Sequence, residues 1–497
     1  MSLHTDSPEG RPGGAALPEG KTTPRDIGHR DQTAERGSDR ATPSARGSHR
    51  ADPLPRGGRR RLRKPAPAVA TSHPHPADDL ADLAGPVAVV LGWILLALSC
   101  YPMLITKDGT QRFKFDAWVY YHAIKHWQDG GDLYQWWAFP AEHLYPFTYP
   151  PFAAWVMKPL TWVDEHSAQV LLTVVTPLCA AGVVLLLARV LQASPGRASL
   201  LAPWGALAAC TLLEPFVKSI EYGQINAILL LMVAVDLLAL RPGGPLARLT
   251  PVRGVLSGIA AAIKLTPAIA LLVLLVRREW RAAGVMVGAG LGVTVLAAVL
   301  SPAETLEYFT KTMLDPTRAG NAEYGGNQNL RALLVRFLPQ TVEKPVWALC
   351  MVAVLVAAWL LAGRLEALRE SDCPEALVLL LQTSVVMVLG LLISPISWSH
   401  HWVWGLPTLV GLGMLAYRQR SRALLLVSVA GVAVMVMAMH WWMPEHGHVE
   451  LSWPVWAKVT GSSYTLWALA AGAVLWWHTG ELLAGRREAE HPAREIL

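Results

Sequence analysis

Charged residues and paired cysteines are both scarce in this chain. Asp, Glu, Lys and Arg make up only 16% of its 497 residues, whereas soluble proteins carry roughly a quarter. The five cysteines form no Cys-x-x-Cys pair, which argues against a zinc site and against a disulfide framework. No apolar segment follows Met1, so the N-terminus lacks the pattern of a secretory signal.

Several motifs of well-known enzyme classes are missing too. The sequence has no Walker loop, no Gly-x-Ser-x-Gly, no His-Glu-x-x-His and no Gly-x-Gly-x-x-Gly that follows a strand. ATP-driven transport, redox chemistry and zinc hydrolysis therefore have no support from motifs. Nothing in the chain resembles a nucleic-acid-binding fold, so nucleic acid is not expected as a partner.

Long apolar runs are what the chain has instead. Hydrophobic residues make up 53% of the sequence, and the mean hydropathy is +0.32. Most runs are close to the ~20 residues that a helix needs to cross a ~30 Å hydrocarbon core. The pattern predicts an all-α polytopic membrane protein. The predicted spans are residues 87–105, 168–191, 200–218, 224–240, 280–300, 345–363, 375–394, 402–417, 421–442 and 462–478.

One further apolar run, residues 252–276, is interrupted by Lys264 and Pro267. Proline cannot continue a helix, and a charged side chain within an apolar segment is costly. We therefore interpret this run as two shorter helices that form a broken hairpin. With the hairpin included, the chain is expected to cross the membrane about twelve times.

Composition divides the chain into three regions. Residues 1–84 are rich in Pro, Gly, Ser, Arg and His, so burial cannot offset their ordering entropy and a disordered basic tail is expected. Residues 85–480 contain the apolar runs, and residues 481–497 form a short C-terminal tail. The basic cluster at residues 59–64 is expected to contact anionic membrane lipids. A regulatory or partner-binding tail is the alternative.

Arginine placement predicts the orientation in the membrane. The arginines outside the N-terminal tail fall mostly in one set of loops, which the positive-inside rule assigns to the cytoplasm. If residues 252–276 cross an even number of times, both termini of this plasma-membrane protein are cytoplasmic. Residues 113–152, 301–344 and 394–402 then all emerge on the extracytoplasmic face. The unusual polar residues collect there, and we expect the functional site on that face.

Residues 113–152 form the most unusual stretch, because they are too aromatic for an ordinary loop and too polar to span a membrane. The opening part is predicted to be a helix that ends at Gly130 and Gly131. The run from Tyr145 to Pro151 favours a rigid extended approach to a second helix. An acid among many rings suits a sugar site, since ring faces pack on sugar CH surfaces and a carboxylate accepts hydroxyl protons.

The same stretch resembles a known family. An aspartate precedes an aromatic pair (Asp116, Tyr120 and Tyr121), a Gly-x-x-x-Tyr run begins at Gly130, and a Thr-Tyr-Pro-Pro box covers residues 148–151. In combination these features resemble glycosyltransferase family 87, from the first apolar run to the last. The resemblance implies a GT-C membrane fold with residues 85–480 as the catalytic domain. It also implies mannose transfer from polyprenyl-phosphate-mannose to a lipid-linked or cell-envelope glycan, with inversion and an α-1,2 linkage.

Asp116 is the expected catalytic residue. An aspartate near the acceptor can take the proton of the attacking hydroxyl, since it is ionised near neutral pH. The alternative is a helix N-cap, because aspartate is common at helix starts. The resemblance places the family's base at this aspartate and favours the catalytic role.

Other polar and aromatic residues on the same face are expected to contact substrate. For Gln224 and Asn226 the alternative is helix capping, and for Lys264 it is a structural ion pair with Glu214, Glu221 or Asp236. Arg331 follows a turn-rich amide run and could meet phosphate, or the whole run could be a solvated loop. The expected substrate-binding residues are Tyr120, Tyr121, Tyr149, Gln224, Asn226, Lys264, Asn327, Gln328, Arg331, His400 and His401.

Neither a metal ion nor a cofactor is expected. The outer face has no Asp-x-Asp pair to hold a divalent ion against a diphosphate, so side-chain cations would stabilise a lipid monophosphate leaving group. His400 and His401 are adjacent, point apart and lack a third ligand, which disfavours a metal site. Tryptophans near them fit an interfacial belt, while Ser-Pro-x-Ser-Trp-x-His-His is similar to an outer-face motif of the family.

Two other functions fit parts of this pattern. The same chemistry could use another polyprenyl-phosphate sugar, such as arabinose, because composition cannot distinguish the donors. A lipid or sugar transporter (flippase) would also carry intramembrane charge and a broken helix. A transporter should show inverted repeats and charges near the middle of the membrane. The sequence shows no repeat, and its acidic aromatic stretch lies outside the spans.

Overall fold

The computed structural model describes residues 76–105, 110–370, 373–445 and 447–490, all within one compact unit. The first helix begins at Pro76, so residues 76–84 of the predicted tail are helical, and the rest of that tail lies outside the described residues. The last helix ends at Glu490, within the predicted C-terminal tail, and residues 491–497 lie outside the described part.

The described part is predominantly helical, as the apolar runs predict. Its first nine α-helices are α1 (Pro76–Leu104), α2 (Phe115–Gln128), α3 (Pro151–Met157), α4 (Glu165–Val190), α5 (Pro195–Leu212), α6 (Glu214–Tyr222), α7 (Asn226–Ala234), α8 (Val255–Ile263) and α9 (Leu271–Val276). The nine that follow are α10 (Trp280–Leu300), α11 (Pro302–Thr310), α12 (Leu330–Phe337), α13 (Gln340–Ala367), α14 (Glu375–Ile393), α15 (Gly405–Gln419), α16 (Arg422–Met437), α17 (Val455–Thr460) and α18 (Ser463–Glu490).

Short helical turns connect or extend these helices. A π-helix at Val235–Ala239 continues α7. The 3₁₀ turns are Lys158–Trp162, Ala247–Val252, Thr266–Ala270, Thr312–Leu314, Pro316–Ala319, Leu368–Glu370, Ser399–Trp404, Met439–Trp441 and Val449–Ser452. Two short strands, β1 (Trp137–Phe139) and β2 (Leu144–Pro146), pair antiparallel, with Trp137 opposite Pro146.

Six described helices are long and apolar enough to cross a membrane, which makes the chain a multi-pass membrane protein. A seventh span results if α5 and α6, which meet at an angle of 81°, count as one. The expected twelve crossings are not confirmed, because several predicted spans are bent or short. The six are Gly85–Leu104, Glu165–Val190, Trp280–Leu300, Gln340–Ala367, Glu375–Ile393 and Arg422–Trp441.

Three of the predicted spans need correction. The run at 200–218 bends after Leu212, since Pro215 lacks an N–H and its ring would clash with the preceding turn of a continuous helix. The runs at 224–240 and 402–417 contain only Asn226–Ala239 and the 15-residue α15. The predicted break in residues 252–276 is present: α8 ends at Ile263, four residues before Pro267, and Lys264 is extended.

Helix α14 lies at the centre of the bundle. In its apolar window 89% of residues are buried, compared with 17% in each of α1, α10 and α13, whose exposed faces are available to lipid. One side of α14 borders an apolar cavity of about 310 Å³, which α13, α15 and α18 also line. Met387 and Leu391, also on α14, lie near Asn226 and His401. The centre of the bundle thus reaches the polar residues predicted as a site.

The aromatic stretch has the predicted elements and one that was not predicted. Helix α2 ends at Gln128 and is followed by Gly130, whose φ of +92° favours glycine. Helix α3 begins at Pro151 after the extended Pro150. Between them β1 and β2 form a small hairpin, which periodicity does not reveal in so short a segment.

Candidate active site

Two hydrogen bonds from Lys114 fix the start of α2 and thereby position Asp116. The backbone N–H of Lys114 donates to Gln169 Oε1 of α4 at 2.9 Å, and its ammonium donates to the carbonyl of Met103 in α1. Lys114 occupies the N-cap position, so Asp116 is in the first helical turn and the N-cap interpretation is wrong. A carboxylate there is stabilised by the helix dipole.

Gln224 reaches Asp116 because α6 ends in a tight glycine turn. Gly223 has a φ of +69°, and the N–H groups of Gly223 and Gln224 donate to the carbonyls of Ile220 and Ser219. This is the Schellman arrangement that closes many helices at glycine. A Cβ on Gly223 would lie 2.7 Å from Cβ of Ala117, so only glycine lets α6 approach α2 this closely.

A hydrogen-bonded network surrounds the Asp116 carboxylate. Gln224 Nε2 donates to Asp116 Oδ2 at 2.6 Å, and Gln224 Oε1 accepts from the Tyr120 hydroxyl at 3.0 Å. The hydroxyls of Tyr120 and Tyr149 are 2.9 Å apart. Oδ1 of Asp116 accepts no hydrogen bond from the residues that the structure describes, and the side chain is half-buried. The carboxylate is held on one oxygen and available on the other.

A second network joins the first and contains the ammonium of Lys264. Asn226 Nδ2 is 3.4 Å from Gln224 Oε1, and its Oδ1 accepts from Lys264 Nζ at 2.9 Å. Lys264 Nζ is also 3.1 Å from His401 Nε2 and lies over the Tyr149 ring, 5.3 Å from its centroid. Two amides therefore link the carboxylate and the ammonium, which form no ion pair with each other in the described part.

The surroundings of Asp116 shift its pKa toward neutral pH. Burial raises the pKa of Asp116 to about 6, while the hydrogen bond from Gln224 and the charge of Lys264 lower it. A carboxyl group in this range is mostly ionised at pH 7 and still accepts a proton readily. The arrangement thus suits a general base.

Four of the expected substrate-binding residues bind other groups of the protein instead. The Tyr121 hydroxyl donates to the carbonyl of Val163. Asn327 and Gln328 are fully buried and hydrogen-bond to backbone, including Ser397 N and the carbonyl of Gly461. Arg331 forms an ion pair with Glu343 (3.3 Å) and stacks on Trp347.

His400 contributes through its backbone. Its carbonyl accepts from Asn226 Nδ2 at 3.1 Å and from the Ser219 hydroxyl at 3.3 Å. The ring packs edge-on against Tyr222, with 5.3 Å between centroids. His400 therefore orients Asn226, whereas the neighbouring His401 places a ring nitrogen beside Lys264.

The suggested ion-pair partners of Lys264 all bind other groups. Glu221 pairs with Lys218 at 2.7 Å. Asp236 accepts from the N–H groups of Gly254 and Ser257, at the start of α8. The structural ion-pair alternative is therefore wrong for all three acids, since Glu214 too is occupied elsewhere.

Glu214 is a buried hub, whereas the sequence suggested it only as an ion-pair partner of Lys264. Its Oε1 accepts from the Ser399 hydroxyl (2.6 Å) and Trp441 Nε1 (2.8 Å), and its Oε2 accepts from the Tyr464 hydroxyl (2.9 Å). His440 Nε2 lies 3.5 Å from Oε1. The hub ties α6 to the segment that carries the two histidines. An isolated glutamate in an apolar run was the available clue.

Arg336 of α12 is a second buried anchor that the sequence reading missed. Its guanidinium donates to the carbonyls of Glu323, Tyr324, Asn327 and Gly461 and to the Ser462 hydroxyl. Five donors in a rigid fork can satisfy several carbonyls at once. Arg336 thus holds the amide-rich loop in place, so that this loop is structural rather than solvated.

No cluster of three His, Cys, Asp or Glu side chains able to hold a metal ion occurs among the residues described. The network around Asp116 consists of amides, tyrosines and one lysine.

Comparisons with known proteins identify the family of this chain. The model of glycosyltransferase family 87 matches residues 147–395. A Mycobacterium tuberculosis protein named polyprenol-phosphate-mannose-dependent alpha-(1-2)-phosphatidylinositol mannoside mannosyltransferase is 33% identical over 392 residues, covering 76% of this chain and 88% of that protein. A Mycolicibacterium smegmatis protein of the same name is 33% identical over 411 residues, covering 80% and 88%.

A further M. tuberculosis relative, whose name specifies a phosphatidylinositol pentamannoside mannosyltransferase, is 34% identical over 282 residues, covering 56% of this chain and 61% of that protein. No solved structure matches the chain. The apolar helices, the family model and the relatives together make this protein a membrane glycosyltransferase. The chain belongs to glycosyltransferase family 87.

Proposed function

We propose that this enzyme transfers mannose from polyprenyl-phosphate-mannose to a glycolipid acceptor of the phosphatidylinositol mannoside class, and that it forms an α-1,2 linkage. The names of the relatives support the donor, the linkage and the acceptor class. The network from Asp116 through Gln224 and Asn226 to Lys264 carries the proposal, because it offers a base and a cation within one polar site.

Asp116 acts as the general base. The acceptor hydroxyl attacks C1 of the mannose, its proton passes to Asp116 Oδ1, and the bond from C1 to the phosphate oxygen breaks with its electrons on the phosphate. A β-linked donor gives an α-linked product by this single inverting displacement. Gln224 holds Oδ2 at 2.6 Å and thus fixes the direction of the free oxygen.

Lys264 and His401 stabilise the departing phosphate. When the Lys264 ammonium donates to His401 Nε2, the ring proton of His401 is on Nδ1. Nδ1 is buried and has no hydrogen-bond partner among the described residues, so that this donor is available to a phosphate oxygen. The hydroxyls of Tyr120 and Tyr149 also line the site. Arg331 has no part here, since Glu343 already compensates its charge.

In this proposal the reaction takes place on the extracytoplasmic face of the plasma membrane, within a GT-C fold that crosses the membrane about twelve times. Both termini are cytoplasmic and membrane lipids surround the bundle. The arginine-rich loops on the opposite side support this orientation. The bent pair α5 and α6 and the broken run after α8 supply the extra helical pieces.

Product analysis tests the proposal. Purified protein in nanodiscs receives radiolabelled polyprenyl-phosphate-mannose and phosphatidylinositol mannosides, with polyprenyl-phosphate-arabinose as the competing donor. We expect one mannose per acceptor in a linkage that an α-1,2-mannosidase removes. Transfer of arabinose alone would revise the donor, and absence of any transfer by folded protein would refute the function.

A further inference from the structure

Four aromatic side chains from distant parts of the sequence lie together beside the end of α6. The ring of Tyr324 makes edge-on contacts with Trp398 (5.7 Å between centroids) and Trp441 (6.0 Å). Tyr222, the last residue of α6, belongs to the same group, because one ammonium, that of Lys218, lies 5.6 Å from the ring centroids of both Tyr222 and Trp441. We name these four rings the aromatic wall.

The aromatic wall adjoins the proposed base. Tyr222 is followed directly by Gly223 and Gln224, whose amide donates to Asp116. The aromatic wall therefore lies next to the residue that holds the base.

The rings remain accessible to a ligand. All four rings of the aromatic wall are half-buried. Partly covered rings present flat apolar faces at the edge of the solvent, and they retain a hydroxyl or an indole N–H for hydrogen bonding. Packing in a core would instead cover them fully.

Charged groups stand next to these faces. Lys218 Nζ lies 5.6 Å from the ring centroids of both Tyr222 and Trp441 and pairs with Glu221 at 2.7 Å. A pyranose ring needs this combination, because its CH face packs on an aromatic ring while its hydroxyls hydrogen-bond to charged groups at the rim. A hydrocarbon chain could form no hydrogen bond with these charged groups.

We propose that the aromatic wall is the acceptor subsite, which binds the sugar rings of the glycolipid while Lys218 and Glu221 hydrogen-bond to their hydroxyls. The inference rests on the proposed function, because it assigns the acceptor of that reaction. It makes the wall responsible for acceptor affinity and leaves the donor to Lys264 and His401.

Acceptor kinetics test the subsite, with phosphatidylinositol mannosides in mixed micelles as the probe. Tyr324→Leu keeps an apolar side chain but removes the flat face, and Lys218→Gln removes the ammonium. Each should raise the KM for the acceptor by about two- to tenfold, the loss of one ring or one polar contact. The KM for the donor and the turnover at saturating acceptor should stay within about twofold. Tyr324→Phe, which keeps the ring face, should recover most of the acceptor affinity.

Tyr417→Leu is the matched control, since Tyr417 is 81% exposed and lies on α15, outside the wall. It should leave the KM for the acceptor unchanged. An unchanged acceptor KM in Tyr324→Leu, or in Lys218→Gln where the first variant does not fold, overturns the subsite. Equal increases in the KM for donor and acceptor overturn it as well. Wild-type protein that transfers no mannose refutes the proposed function instead.

Discussion

Asp116 and Lys264 carry opposite charges, yet two amide side chains separate them. Because Gln224 and Asn226 lie between the two charges, the carboxylate forms no ion pair with Lys264 and keeps a raised pKa. Asp116→Asn removes the basicity and preserves the shape. We expect turnover to fall by about 10²–10⁴-fold, the usual contribution of a general base. Donor-lipid binding measured in parallel should remain, and near-normal turnover of a folded variant would show that Asp116 is not the base.

The pKa of Asp116 also predicts a pH dependence. The base works in its ionised form, so kcat/KM should rise with pH through about 6 and level off above it. Gln224→Leu removes a hydrogen bond that favours the ionised form, and its rising limb should therefore lie at higher pH than that of the wild type. A pH–rate profile of both proteins measures this. Coincident profiles would show that Asp116 is not the titrating group.

Glu214 permits a comparison of two glutamates on one helix. Glu214→Gln weakens hydrogen bonds to a buried charge, each worth about 1.5–3 kcal/mol. Glu221→Gln removes only a half-exposed pair with Lys218, worth about 0–1 kcal/mol. The melting temperature in detergent should therefore fall clearly more for Glu214→Gln. Equal shifts would mean that the hub contributes nothing special to stability.

At the scale of elements, the close approach of α6 to α2 is the critical contact. Gly223→Ala places a methyl group 2.7 Å from Cβ of Ala117 and moves Gln224 away from Asp116. A misplacement of about 1 Å can lower turnover by about 10²-fold. Gly130→Ala is the control, because it has the same left-handed strain (φ +92°) with nothing within 4 Å. We expect Gly130→Ala to retain most of the turnover, and equal losses in both variants would assign the effect to backbone strain.

The helices follow from the sequence where proline, glycine and hydrophobicity act locally. The start of α3 at Pro151 and the break between Ile263 and Pro267 were predicted for the physical reasons that the structure shows. The 81° bend before Pro215 was not predicted. The apolar run continues past the bend, and a hydropathy pattern contains no information on the direction of a helix axis. The β1–β2 hairpin has too few residues for a periodicity to be recognised.

The candidate site was predicted in part. Seven residues expected from the sequence form one connected network, namely Asp116, Tyr120, Tyr149, Gln224, Asn226, Lys264 and His401. Arg331 and Asn327 carry the right chemistry, but tertiary partners that no local pattern reveals bind them. The role of Glu214 as a hub was not predicted, because its partners lie up to 250 residues away in the sequence.

The orientation of the protein in the membrane is a prediction about the whole molecule. Four of the five cysteines are buried and the fifth is half-buried, so native thiols should react little. Cysteines introduced at Asp129 and Asn321, both exposed, should react with an impermeant thiol reagent in intact cells. A cysteine at the exposed Arg248 should react only after permeabilisation. The reverse pattern would put the site on the cytoplasmic face.

Synthesis of the chain sets the order in which the Glu214 hub is completed. Glu214 is synthesised long before Ser399, Trp441 and Tyr464, the last of which follows it by 250 residues. The carboxylate therefore has none or only some of these partners while that part of the chain is translated. Until α18 is synthesised, the carboxylate of Glu214 lacks its hydrogen bond from Tyr464. A nascent chain that stops short of Tyr464 would contain every proposed catalytic residue but lack one of the bonds that hold α6. We expect such a truncated chain to be less stable than the full one.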